Sequence, residues 1–133
     1  MKINTKGSAI LQFYNGTIPI SGLSNFFYPF FHDSTSGGPE YVIIAPYAGK
    51  LKNLFVHHLT PGGNGNSISY TIRKNSVDTT LVTTMASTAS IGSNTSDIIN
   101  VAQGDRLSFR ANAPVSIGAS PSGITANFEI EKI

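Results

Sequence analysis

Apolar and polar residues alternate most cleanly through Asn66–Thr84. Ile68, Tyr70 and Ile72 fall on one side while Ser67, Ser69, Thr71 and Arg73 fall on the other, the two-residue period of a half-buried strand. Lys74-Asn75-Ser76 interrupts the pattern with a polar turn, and the β-branched, threonine-rich run Val77–Thr84 follows. The two runs predict a β-hairpin with one face wet and the other covered.

The rest of the chain repeats this grammar. Ser8–Tyr14 predicts a first strand ended by the turn dipeptide Asn15-Gly16, and Ile18-Pro19-Ile20 reads as an edge strand or extended chain. Phe26, Phe27, Tyr28, Phe30 and Phe31 surround Pro29, and Asp33–Pro39 has loop composition. Glu40–Ala45 predicts a short strand. Lys50–Leu59 predicts a longer one with apolar groups on both faces, Leu54 and Val56 on one and Leu51, Phe55 and Leu59 on the other, hence covered on both sides. Ala86–Ser93 is small and polar, a loop or frayed strand. Asp97–Ala102 and Arg106–Ala111 flank a tight turn, the second with Leu107, Phe109 and Ala111 inward. After a connection rich in proline and glycine, Ile124, Ala126, Phe128 and Ile130 alternate with Thr125, Asn127, Glu129 and Glu131 up to the last residue. No amphipathic helix, internal repeat or linker stands out. Many short strands joined by Gly, Pro and Asn turns predict an all-β, antiparallel two-sheet β-sandwich of jelly-roll type, one domain over residues 1–133.

Composition narrows the function classes. Asp, Glu, Lys and Arg make up 12% of 133 residues, about half the usual share in globular domains. With a net charge of +2, the chain has too little positive charge to place a footprint on nucleic acid. There is no cysteine, so disulfides and thiolate chemistry are absent. Met1–Gly7 lacks the apolar run of a signal peptide, and the aromatic cluster is too short to cross a bilayer, so no membrane partner is expected. Met1–Gly7 carries Lys2, Ile3 and Lys6 without a core pattern, and is expected to be an N-terminal arm that orders on a partner.

Chemistry-bearing residues are sparse. His57 and His58 are neighbours on a strand, point to opposite faces and cannot chelate one ion, so no metal or cofactor is expected. No serine, histidine and acid share a nucleophile turn, and Glu129 and Glu131 read as partners for Arg106 and Arg110 rather than as a glycosidase pair. The expectation is a protein without catalytic residues. Tyr14, Tyr28, Tyr41 and Tyr47 offer a sugar-stacking alternative to core and interface roles. One side of the extended aromatic cluster must find cover, so Phe26, Phe27, Tyr28, Phe30 and Phe31, with Phe55 and His57, are the expected subunit-interface residues.

Three stretches carry a resemblance. Ala45-Pro-Tyr-Ala-Gly-Lys-Leu-Lys-Asn-Leu-Phe-Val56, Tyr70-Thr-Ile-Arg-Lys-Asn-Ser-Val-Asp-Thr79 and Val101-Ala-Gln-Gly-Asp-Arg-Leu-Ser108 are similar to segments of a β-sandwich module of tailed-phage virion proteins. That module also resembles the trimeric TNF/C1q-like heads. The likeness spans about residues 41 to 130, and Ser76 replaces the glycine usual in the hairpin. Because the chain has no stalk, the resemblance implies a capsid cement (decoration) protein, a homo-trimer that clamps the major capsid protein on the virion after assembly in the host cytoplasm. Lys2, Ile3 and Lys6 are then the expected capsid contacts. The alternative implied is the receptor- or glycan-binding head of a tail fibre.

Overall fold

In a computed structural model, residues 7–15, 24–29, 40–113 and 118–133 are described. The expectations for residues 1–6, for Ile18–Ile20, and for Phe30, Phe31 and the loop after them lie outside the described residues. The described chain forms β1 (Ser8–Asn15), β2 (Ser24–Phe26), β3 (Tyr28–Pro29), β4 (Ile43–Ile44), β5 (Gly49–Thr60), β6 (Ser67–Lys74), β7 (Val77–Ala86), β8 (Ile91–Asn94), β9 (Ile99–Val101), β10 (Arg106–Asn112) and β11 (Ser122–Lys132).

Two antiparallel sheets result. One has the order β3-β1-β11-β5-β8, with β9 on the same edge of β5 as β8; the other has the order β2-β10-β6-β7, with β4 on the same edge of β10 as β2. Apart from the β6–β7 hairpin and the β8–β9 step, successive strands change sheet. The fold is thus an all-β sandwich of jelly-roll type. First and last long strands lie side by side, Ser8 opposite Glu131 through Asn15 opposite Ile124, which ties the C-terminal strand into the middle of its sheet.

The core follows the alternation. Ile68, Tyr70, Ile72, Leu107, Phe109 and Ala111 face it from one sheet; Phe13, Ile124, Ala126, Phe128 and Ile130 face it from the other. Aromatic rings join the layers. Phe13 stacks on Phe128 at 5.9 Å and on Phe109 at 6.0 Å, Phe109 stacks on Tyr70 at 5.9 Å, and Phe27 meets Phe109 edge-on at 4.9 Å. Phe27 sits where the chain passes from β2 in one sheet to β3 in the other, its amide donating to the Phe109 carbonyl.

Strand β5 departs from expectation. Asn53 takes φ 55°, and the pairing with β11 slips there. The bulge puts Leu51, Leu54 and Val56 on the core side and leaves Phe55 and Leu59 exposed, so β5 is covered on one face only. Asparagine can stand in this left-handed conformation at modest cost. Ala86–Ser93 is also more ordered than expected: β7 runs to Ala86 and β8 begins at Ile91.

The middle of the long edge strand β7 is partly capped. Asn94 Nδ2 donates to the Val82 carbonyl (2.8 Å) and to Asp97 Oδ2 (2.8 Å), while Asn94 Oδ1 accepts from the Asp97 amide (3.1 Å). One side chain thus shapes the β8–β9 connection and blunts an edge.

The hairpin turn places Asn75 at φ 51° and Ser76 at φ 66°, the twist-matched two-residue turn that favours Asn-Gly. Serine is held there by its carbonyl, which accepts from Arg73. Ser76→Ala and Ser76→Gly both lose the hydroxyl, but only alanine keeps a Cβ in the left-handed region. Thermal unfolding should therefore find Ser76→Gly more stable than Ser76→Ala by about 1 kcal/mol; equal stabilities would contradict this turn geometry.

Candidate functional site

The two outer faces of the sandwich differ in kind. On the β2-β10-β6-β7 sheet, charges are paired. Arg73 reaches Glu40 (3.0 Å) and Asp78 (2.9 Å), Arg110 reaches Asp78 (2.5 Å), and Ser108 donates to Glu40 (2.6 Å). Burial raises the Glu40 pKa, but hydrogen bonds from Ser108 and Ser76 and the charges of Arg73 and Arg106 outweigh it, so this carboxyl is held below its ordinary value. Phe26 lies under the Arg73 guanidinium, 5.3 Å from ring centroid to carbon.

On the outer face of the β3-β1-β11-β5-β8 sheet, the ionised side chains Lys50, Lys52, Glu129 and Glu131 leave the rest of the surface uncharged. Pairing register lays two rows across it. Ser93, Phe55, Asn127 and Gln12 form one; Ile91, His57, Thr125 and Tyr14 form the next, with Tyr28 at the following register position. Phe55 is 47% exposed and Ile91 65%, and Leu59 and Ile10 are exposed beyond the rows. Ionised side chains gather at one end, where Lys52 pairs with Glu131 (2.8 Å) and Asn53 donates to Glu129 (3.0 Å).

This arrangement sorts the expected interface residues. Phe55 and His57 share that face, in the two adjacent rows that carry no ionised side chain. Phe27 is corrected: it is fully buried in the core and offers nothing to a partner, because the core needs a ring where the chain crosses between sheets. Phe26 belongs to the opposite, charged face. Tyr28 is placed only by its pairing with Tyr14, and Phe30, Phe31, Lys2, Ile3 and Lys6 lie outside the described residues. Glu129 and Glu131 do not meet Arg106 and Arg110, because β10 and β11 are in different sheets. Nor do the tyrosines form one platform. Tyr47 bonds the Ile130 carbonyl near one end of β11, whereas Tyr14 pairs with Thr125 toward the other. Among the described residues no three His, Cys, Asp or Glu side chains come together as metal ligands.

The histidine pair splits between faces. His57 is exposed, and His58 is buried behind it. His58 Nδ1 lies 2.8 Å from the Ala89 carbonyl oxygen and Nε2 lies 2.7 Å from the Tyr70 hydroxyl. A carbonyl can only accept, so Nδ1 carries the proton and Nε2 accepts from Tyr70. Burial lowers the His58 pKa, aided by the charge of His57 and opposed by backbone hydrogen bonds at Ala89 and Ser87. Burial likewise pushes the Tyr70 phenol far above its ordinary range. Sequence gave no sign of this contact, since it joins strands of opposite sheets.

No protein-family model matches the sequence, and comparison with curated proteins finds no match. Among solved structures, the native family 35 carbohydrate-binding module from Clostridium thermocellum aligns over 95% of this chain and 92% of that one, at 16% identity and a TM-score of 0.42.

The His58 geometry fixes a pH dependence. The folded state holds His58 neutral, while the unfolded chain takes up the proton near the ordinary histidine value of about 6.5. Below that value the unfolded state binds more protons, so stability contributed here is present at neutral pH and lost as pH falls. Melting temperature should drop between about pH 7 and 5, with a much smaller drop in His58→Gln and one nearer to wild type in His57→Gln, which removes only a minor contribution to the His58 shift. A His58→Gln profile parallel to wild type would show that His58 does not carry the effect.

Proposed function

We propose that the chain is a non-enzymatic structural protein that self-associates, as a homo-trimer, through the outer face of the six-stranded sheet, and that it serves as a cement protein seated on a phage capsid. One observation carries the self-association: two adjacent rows, Ser93-Phe55-Asn127-Gln12 and Ile91-His57-Thr125-Tyr14, expose Phe55 and Ile91 without an ionised side chain among them. Rows without charge cost little to desolvate, and an exposed aromatic residue is the usual anchor of an interface core. Burying Phe55 or Ile91 against a second copy contributes about 1–3 kcal/mol each.

The capsid role rests on the resemblance of the 45–56, 70–79 and 101–108 segments to phage virion modules, with Lys2, Ile3 and Lys6 as the attachment arm. With so few charges in the whole chain, attachment is held mainly by apolar and backbone contacts. A glycan-binding fibre head is the second reading. It draws on the amides of Asn127 and Gln12 beside the exposed Phe55 ring, donors and acceptors next to a flat apolar surface.

Light scattering on Phe55→Ser/Ile91→Ser should give a folded monomer where the wild type is a trimer. Unchanged mass, or a wild-type monomer, would overturn the self-association. Removing residues 1–6 should leave a folded trimer that no longer co-sediments with expanded capsids; undiminished co-sedimentation would remove the arm's role. If wild-type protein ignores capsids and binds immobilised glycans in a Phe55-dependent way, the fibre-head reading replaces cement.

A further inference from the structure

We infer that Asn64 is a site of spontaneous covalent modification, where the side-chain amide is lost through ring closure onto the following glycine. The sequence holds two Asn-Gly dipeptides, Asn15-Gly16 and Asn64-Gly65. Glycine on the C-terminal side leaves the attacking amide unshielded and its backbone free to bend. The fold separates the two dipeptides. Asn15 is fully buried at the end of β1, paired opposite Ile124. Asn64 and Gly65 are exposed at the tip of the β5–β6 connection, and a methyl at Gly65 would meet only open space.

Local geometry favours closure at Asn64. Its Oδ1 accepts from the amide of Asn66 at 3.1 Å, an Asx turn that folds the side chain back over the intervening Gly65 peptide. When the Gly65 nitrogen attacks Asn64 Cγ, negative charge develops on Oδ1, where the Asn66 N–H already points. The new N–Cγ bond forms as the Gly65 N–H proton passes to water. Water returns a proton to Nδ2, the charge on Oδ1 collapses to re-form the carbonyl as the Cγ–Nδ2 bond breaks, and ammonia leaves. Water adds to either carbonyl of the resulting five-membered imide, giving aspartate or isoaspartate at position 64. No oxidant or metal is required.

Other asparagines are engaged differently. Asn75 donates to Asp105 and accepts from the Arg106 amide, while Asn94 binds Val82 and Asp97. Their side chains serve fixed contacts, and neither precedes glycine.

The modification has a structural consequence. The loop is anchored on both sides of the reactive pair: the Gly62 amide donates to the Ser87 carbonyl (2.8 Å), the Gly63 amide to that of Ala119 (2.6 Å), and the Ser87 amide to that of Asn66 (2.9 Å). Ser87 Oγ also donates to the Asn64 carbonyl. Isoaspartate inserts a methylene into the main chain between these anchors and displaces the carbonyl that Ser87 uses. Either product adds a negative charge at this tip. Strain passes to the turn that includes Ser87 and Ala89, whose carbonyl holds His58.

Peptide mapping by mass spectrometry, after incubating the full-length folded protein in mildly alkaline buffer, tests the assignment. A gain of one mass unit, with labelling by isoaspartyl methyltransferase, is expected in the peptide containing Asn64 and not in that containing Asn15. In urea both Asn-Gly peptides should gain mass. Gly65→Ala, which has room for its methyl and no left-handed φ, should fold and lose the gain at position 64. Equal modification at Asn15 in the folded protein, slower modification of Asn64 folded than unfolded, or persistence in Gly65→Ala would each overturn it.

Discussion

The buried hydroxyl of Tyr70 imposes a requirement that much of the molecule answers. Tyr70 stands in the aromatic column that joins the sheets, against Phe109 and Phe27, where an unpaired phenol costs about 1–3 kcal/mol. His58, from the facing sheet, accepts its proton, and the other imidazole nitrogen must then donate, which it does to Ala89. The chain of donors fixes one tautomer. It also pins the turn between β7 and β8, because the His58 amide donates to the Ser90 carbonyl as well. Ser87 in that turn holds the β5–β6 loop. One polar contact in an apolar core thus sets the position of one end of the sandwich.

The second organising feature is the unequal treatment of the two outer faces and the edges. On the five-stranded sheet, Arg73, Arg110, Asp78 and Glu40 neutralise one another, and the segment before β4 is tied down through Glu40. Asn94 covers carbonyls on the β7 edge. Most of the charge is neutralised within the chain at those places, while Arg110 Nε is buried without a partner among the described residues. The six-stranded sheet keeps its ionised side chains Lys50, Lys52, Glu129 and Glu131 at one end and leaves Phe55, Ile91 and Ile10 in water. Apolar groups are exposed on the five-stranded sheet too, Ile44 and Val77 among them, so what sets the six-stranded face apart is two adjacent rows free of ionised side chains.

The small shift at Asn53 is what makes that surface. Without the bulge, strict alternation from Leu51 would send Phe55 to the core and Leu54 and Val56 outward. With it, the core receives two aliphatic side chains, and the ring is turned to solvent. A single residue in a left-handed conformation therefore decides which side chains a partner would meet.

Local pattern by itself determined the strands whose faces differ in polarity. Ile68-Tyr70-Ile72, Leu107-Phe109-Ala111 and Ile124-Ala126-Phe128-Ile130 all face the core as their alternation requires, because a period of two leaves no other way to bury them. Turn residues and the absence of helical periodicity carried the fold class. The bulge left a trace as well, since the apolar positions change parity between Leu51 and Leu54 with Asn53 between them, a shift easily mistaken for a strand covered on both sides. Which strands become neighbours was not written locally. Glu131 meets Lys52 rather than an arginine because β11 lies beside β5, and Phe26 and Phe27 part company because β2 and the crossing that follows it serve different layers. The His58–Tyr70 bond joins residues of opposite sheets, and the uncharged rows exist only once four strands from distant parts of the chain are aligned. Alternation fixes which way a side chain points along one strand; long-range pairing, whose register depends on all the strands at once, decides what it points toward.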